Sequence, residues 1–236
     1  MSDTKVKAKP TYAEMTVDAA NPLVRYSHRT RMARTVNTIK RHLGPNGVFV
    51  DFGAGTGMLL ESVRQIFPEA DLIGVEPYMG SLYPDSARYV ANLRDLPDRS
   101  ADVIGGFEVC EHLYDNELRD FLGGCQRILR PGGHLILSVP IMQGMAVALK
   151  ELNHLRIHGA TQYSLGDVCR ATIGLSVSRP PDPRTTHKGF DFQQFSRTVE
   201  GCFRIESRFY SPIAGAPWFV NPQVFLICVP VGPKRS

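Results

Sequence analysis

The sequence predicts an α/β domain, and three observations carry that reading. Residues 48 to 61, Val-Phe-Val-Asp-Phe-Gly-Ala-Gly-Thr-Gly-Met-Leu-Leu-Glu, pass from a β-branched and aromatic strand through glycines at spacing two into a helical period that lasts to Phe67. Short apolar strands then alternate with helical segments up to Val139, and two more strands close the chain. At 236 residues the chain suits one domain with an insertion and can bury a substantial core.

Residues 1–20 are polar and without period, and are expected to form a flexible tail ahead of a domain spanning 21–236. Asn21 to Leu43 reads as one helix, with Asn21 as N-cap, Pro22 in the first turn and Gly44-Pro45-Asn46-Gly47 as the stop. Arg25, Arg29, Arg31, Arg34, Lys40 and Arg41 crowd this helix; a solvated face explains them, and a clamp for an anionic substrate or carboxylate is the alternative. The whole chain has 27 basic against 23 acidic residues, a net charge of +4 too mild to demand nucleic acid.

Val48 to Phe52 is the first strand. Glycines at 53, 55 and 57 let the backbone take positive φ and approach a ligand, and the helix that follows presents its N-terminus to an anion. Asp71 to Glu76 is the second strand, and Glu76 follows Asp51 by 25 positions, the length of one strand–helix–strand step. A carboxylate at that strand tip can accept hydrogen bonds from both hydroxyls of a ribose, so the pair predicts a nucleoside ligand. Tyr78 to Asp85 is irregular, Ala87 to Val90 is a third strand, and Asn92 to Pro97 turns the chain into a fourth, Ala101 to Glu108. Asn116 to Leu129 is helical, Arg130-Pro131-Gly132-Gly133 turns, and His134 to Val139 is the fifth strand.

Residues 141–186 form an insertion with helical segments at Met145–Ile157 and Leu165–Ile173 and a stiff loop at Arg179–Arg184. A further helix runs to Val199, and Cys202–Tyr210 and Gln223–Val229 are the closing strands. Cys110, Cys125, Cys169, Cys202 and Cys228 lack any Cys-x-x-Cys pair, as expected of reduced thiols in the cytoplasm. The most apolar stretch, Leu135–Leu149, is interrupted by Ser138, Pro140, Gln143 and Gly144, so no membrane span is expected; the N-terminus lacks an apolar signal core.

Asp51-Phe-Gly-Ala-Gly-Thr-Gly57 resembles the first motif of the class I S-adenosylmethionine (SAM)-dependent methyltransferases, (D/E)-x-G-x-G-x-G. A dinucleotide fingerprint would need its third glycine where Met58 stands, which disfavours a nicotinamide oxidoreductase. Glu108-Val-Cys-Glu-His112 is similar to the E-V-x-E-H phrase of the small-molecule branch, which includes methyltransferase type 11 and ubiquinone-biosynthesis-like O-methyltransferases, and Leu129 to Gly133 matches its L-(R/K)-P-G-G turn. The resemblance spans residues 48–230 apart from the insertion. It implies a Rossmann-like three-layer sandwich with a mostly parallel seven-stranded sheet and a C-terminal antiparallel hairpin.

It also implies S-adenosyl-L-methionine as cofactor and S-adenosyl-L-homocysteine (SAH) as product. Asp51, Gly53, Gly55 and Gly57 would cradle the amino acid part, Glu76 and Pro77 the ribose, and Asn92 and Leu93 the adenine, with Phe107 and Glu108 beside the sulfonium. The family usually has Asp where Asn92 stands. The helix before the first strand would close over the cofactor, within reach of Tyr26, His28 or Arg29.

Such a reaction needs an aligned acceptor, exclusion of water and, for a hydroxyl, a base. His112 is the first candidate, since it follows a strand tip and an imidazole titrates near neutrality; His187, beyond the Pro-rich loop, is the second. His154 and His158, four apart, read as polar surface before they read as ligands. No required metal is expected, because the Asp and Asp-Asn positions of catechol-type enzymes hold Phe107-Glu108 and Ser138-Val139-Pro140, although Glu108, Glu111 and His112 have ligand chemistry. The (N/D)-P-P-(Y/F) motif of base-flipping methyltransferases is absent from Gly106 to Val109. The expectation is methyl transfer to the hydroxyl of a small molecule, in a pocket formed by the insertion and the loop bearing Trp218 and Phe219. A non-catalytic SAM-binding regulatory or scaffold subunit is the alternative, and a homodimer is left open.

Overall fold

The computed structural model describes residues 22–77, 83–159, 161 and 163–231. The expected tail and the Asn21 cap lie outside them, as do the side chains of Tyr26 and His28. The elements are α1 (Pro22–His42), β1 (Val48–Phe52), α2 (Met58–Arg64), β2 (Asp71–Val75), β3 (Arg88–Val90), β4 (Ala101–Phe107), α3 (Asp115–Ile128) and β5 (Leu129–Pro140). They are followed by α4 (Met145–His158), α5 (Leu165–Thr172), α6 (Phe192–Glu200), β6 (Phe203–Ser211) and β7 (Gln223–Pro230).

The seven strands form one sheet in the order β3-β2-β1-β4-β5-β7-β6. Every pair from β3 to β5 is parallel, while β7 lies antiparallel to both β5 and β6. The last two strands thus make the expected hairpin, with the final strand slotted inside the sheet and β6 at its edge. Strand order reverses between β1 and β4, and a sheet of this kind opens a crevice at the carboxyl ends of the strands at that point.

Period-two alternation sends neighbouring side chains to opposite faces. Val103 and Ile136 face a layer made by Ile39 of α1, Leu43 just after it, and Leu60 and Val63 of α2. Ile104, Leu135 and Leu137 face Phe121, Leu122, Cys125 and Ile128 of α3 and Phe195 and Val199 of α6. Each fully buried Leu, Ile or Phe in these layers is stabilised by about 1.5–3 kcal/mol relative to exposure. The apolar positions of α3 fall at helical spacing, and Glu117 Oε2 accepts from the Tyr114 N–H at 3.0 Å at its start.

One boundary differs from expectation. β5 begins at Leu129 and takes in the Arg-Pro-Gly-Gly turn, because Ala101 pairs with Leu129 before the register jumps to Val103 with His134. Gly132, at φ 81°, supplies the left-handed residue that this irregular stretch requires. The insertion contributes Val147, Tyr163, Ala171 and Val177 to the core beneath the sheet. No described helix is long and apolar enough to cross a membrane.

Candidate active site

Asp51 stands in register with Gly74 of β2 and Gly105 of β4, so both neighbouring strands lack a side chain beside it. The chain then turns sharply. Gly53 has φ 77° and donates its N–H to Val75 O at 2.9 Å; a Cβ there would lie 2.7 Å from Val109 Cγ2. Gly55, at φ 53°, faces open space, and its N–H donates to Glu76 Oε2 at 3.1 Å. The turn therefore leaves room above the backbone at Gly55 and none beneath Gly53.

Two carboxylates flank this turn. Asp51 is 4% exposed, and burial, with Glu76 adding to it, pushes its carboxyl up to about 8. Two cavities meet there and share Gly53. The first, about 690 Å³, lies between α1 and the turn and is lined by Arg29, Arg31, Thr35, Asp51, Met58 and Glu108 among others. The second, about 790 Å³, is lined by Glu76, Pro77, Asn92, Leu93, Val109 and His112 among others.

The structure thus brings together Asp51, Gly53, Gly55, Phe107 and Glu108 around one cavity and Gly53, Glu76, Pro77, Asn92, Leu93 and His112 around the other. Gly57 lines neither; at φ 84° it caps α2. Asn92 uses its carbonyl in a cap, accepting from Arg94 N at 3.0 Å while its own N–H donates to Asp95 Oδ2 at 3.0 Å. The oxygen expected to meet an adenine amino group is therefore already engaged.

Glu108 follows β4 with φ 53°, a left-handed conformation uncommon for a non-glycine residue. Its surroundings fix it there. Its N–H donates to Ser138 O at 3.0 Å, Oε1 accepts from Ser138 Oγ at 3.1 Å and Gln223 Nε2 at 2.8 Å, and Oε2 pairs with Arg31 Nη1 at 3.5 Å. One carboxylate so links the tips of β4, β5 and β7 to α1. The sequence reading missed Ser138, Gln223 and Arg31 in this role. Arg29, which is exposed, and the half-buried Arg31 line the first cavity, while Lys40 and Arg41 are exposed, as a solvated face requires.

His112 and His187 converge, with Nε2 atoms 3.0 Å apart. His112 Nδ1 lies 3.2 Å from Pro183 O, so that nitrogen carries the hydrogen and Nε2 presents its lone pair. Burial first, then Lys150, His112, Arg179 and Arg31, lower His187 to about 4, so it is neutral at pH 7. Glu111 lies beneath both, fully buried, its Oε1 at 4.0 Å from His112 Nε2 and 3.8 Å from His187 Nε2. Burial, then Glu108, raises the Glu111 carboxyl well above the usual range. The sequence reading gives Glu111 ligand chemistry together with Glu108 and His112, and no catalytic role. Its signal was an acid inside a short turn beside His112; His187 is 75 positions further on.

Trp218 and Phe219 do not join these cavities. Trp218 packs on Phe192 at 5.6 Å between ring centres and lines a separate space of about 230 Å³ with Arg197, Glu200 and Tyr210. The loop expected to border the acceptor lines neither of these two cavities; at the glycine turn, α1 supplies the wall. His154 lies on α4 and is not part of the histidine cluster, and the side chain of His158 is outside the described residues.

The open parallel sheet, its crevice at the strand-order reversal and the glycine turn between two acids define a class I SAM-dependent methyltransferase fold. A family model described as a methyltransferase domain matches residues 25–170, more than half of the chain, and the chain belongs to that family. A probable S-adenosylmethionine-dependent methyltransferase of Mycolicibacterium smegmatis is 34% identical over 176 residues, covering 70% of this chain and 63% of its own length. A trans-aconitate 2-methyltransferase of Deinococcus radiodurans is 31% identical over 103 residues, 41% of this chain and 39% of that protein. The chain thus spans less than two thirds of the length of these relatives. Among solved structures, a Pyrococcus horikoshii protein superposes with TM-score 0.58 at 12% identity, covering 94% of this chain and 97% of that one, a likeness of fold.

Proposed function

We propose that this protein transfers the methyl group of SAM to an oxygen of a small-molecule acceptor. The observation that carries the reading is the meeting of two cavities at Gly53, between Asp51 and Glu76. A nucleoside fits the second cavity, where Glu76 would accept from ribose hydroxyls and Pro77, Leu93 and Val109 would contact the adenine. The charged amino acid end fits the first, where a buried Asp51 favours an ammonium partner and Arg29 or Arg31 a carboxylate. The residues present therefore suit this cofactor, which supplies an activated methyl on a sulfonium.

The chain's own residues do the rest. Gly55 admits the ligand close to the backbone, Phe107 and Glu108 border the transfer region, and α1 excludes water from it. Orientation of this kind is worth up to about 7–11 kcal/mol. We assign activation of the acceptor hydroxyl to His112 and His187, which are mutual partners beside the nucleoside cavity. That one relative is named for trans-aconitate supports a small acceptor.

The test is SAM turnover against a panel of hydroxy acids, carboxylates, phenols and sugars, read as SAH by mass spectrometry. Acceptor-dependent SAH is expected from one oxygen class. Tight SAH binding without turnover on any of them would replace this reading with the non-catalytic one.

A further inference from the structure

Two histidines in mutual contact need no third party, since the His187 N–H can donate to the His112 lone pair. Glu111 does. Both of its carboxyl oxygens are buried and, among the described residues, neither has a hydrogen-bond partner. A buried polar group in that state is costly and calls for an explanation. Arg179 Nη2 donates to the main-chain oxygen of Glu111 and leaves the carboxyl unanswered.

The three donor atoms supply the explanation. Their separations are 3.0 Å between the imidazole nitrogens and 4.0 and 3.8 Å from each to Glu111 Oε1. A point equidistant from all three lies about 2.1 Å from each, the bond length of a first-row divalent cation to imidazole or carboxylate. The three atoms form the group of metal-ligating side chains among the described residues. His112 is further oriented by Pro183 O, the outer hydrogen bond that metal-bound histidines use.

We infer that Glu111, His112 and His187 form a binding site for a divalent transition-metal cation of the zinc or cobalt type, open to an acceptor oxygen at the wall of the nucleoside cavity. Two imidazoles and one carboxylate select such an ion over magnesium or calcium, which prefer all-oxygen shells. Glu108 adds negative charge beside Glu111, and Lys150, Arg179 and Arg31 add positive charge around His187. Three protein donors would leave a position in the shell of such an ion for an oxygen ligand.

This inference rests on the methyltransferase reading for its role and gives His112 and His187 a specific one. The acceptor hydroxyl binds the ion, which lowers its pKa, and its proton leaves to water. The oxygen then bonds the methyl carbon as the carbon–sulfur bond breaks, and the sulfur departs as a neutral thioether with no change of oxidation state. The acceptor class is accordingly one that offers an oxygen donor to a metal, such as a hydroxy acid or a vicinal diol or diphenol. The sequence reading expects no required metal, because the Asp and Asp-Asn positions of catechol-type enzymes are absent; His187 joins Glu111 and His112 only in the fold.

The test uses the full chain stripped with a chelator and titrated with Co²⁺, followed by visible d–d absorption, with SAH affinity measured calorimetrically on the same preparation. One equivalent of Co²⁺ with intense d–d bands, displaced by Zn²⁺ and not by Mg²⁺, is expected. His187→Ala and Glu111→Gln should weaken it at least about 100-fold, while His187→Ala, at a residue that lines neither cavity, keeps SAH affinity within about twofold. Equal Co²⁺ binding by wild type and His187→Ala, or none by wild type, overturns the metal site. Loss of SAH binding by the wild type instead overturns the methyltransferase reading, whatever Co²⁺ does.

Discussion

Asp51 is the residue where stability and binding pull apart. Its carboxyl is held protonated to about pH 8 in the folded chain against an ordinary value of 3.8. Between those values the unfolded state gives up a proton that the folded state keeps, so stability falls as pH rises through that window, by at most about 1.4 kcal/mol per pH unit. Asp51→Asn removes the slope: its melting temperature should gain on wild type by about 2–4 °C for each kcal/mol so recovered between pH 5 and 8, as scanning calorimetry would record. The same change should cost at least about tenfold in SAM affinity, because an ammonium beside Asp51 draws off its proton and gains a carboxylate partner that Asn cannot supply. Gly53→Ala tests the turn directly. A Cβ at φ 77° and 2.7 Å from Val109 should destabilise by about 1–3 kcal/mol, and Val109→Ala should restore only part, since the backbone strain remains. Asp51, the glycines and Glu76 were legible in the sequence because one strand–turn–helix–strand unit holds them at fixed spacing. The Asn92 cap was legible less well, since Asn92 and Asp95 satisfy one another locally before any ligand is met.

Among elements, α1 and the closing strands hold the surprises. The period of α1 marked a helix, and Met32, Val36 and Ile39 turn inward, yet nothing local told that Arg31 would meet Glu108, 77 positions away. Ser138 and Gln223 likewise meet at Glu108 only because β7 pairs with β5, and nothing local in either strand announces that. Strand existence was plain from β-branched and apolar runs, whereas the start of β5 was not, since Gly132 and the bulge opposite Ala101 extend pairing through a sequence that reads as a turn. Trp218 packs on Phe192 of α6 away from both main cavities. Trp218→Ala should therefore cost about 1–3 kcal/mol in chemical denaturation and leave the SAH dissociation constant within about twofold. A tenfold loss of SAH affinity in that variant would place the closing loop at the site after all.

At the scale of the whole molecule, the sheet order explains why chemistry gathers where it does. β1 and β4 are sequence-distant neighbours whose carboxyl ends separate two cavities, and the glycine turn, Glu108 and His112 all follow from those ends. The alternation of strands and helices foretold this topology; the folding of the insertion did not follow from it, because residues 141–186 obey packing against the core rather than a repeating unit. His187 enters the site through that excursion, in partnership with His112 and Glu111.

The measurement that bears most directly on the central claim is calorimetric titration of the purified chain with SAM and SAH, repeated with Asp51→Ala and Glu76→Ala. The account predicts micromolar, one-to-one binding by the wild type. It predicts a loss of at least about tenfold in each variant, since each removes a carboxyl partner of the ligand, with the fold intact by circular dichroism. No binding of either ligand by the wild type, or undiminished binding by both variants, would contradict it.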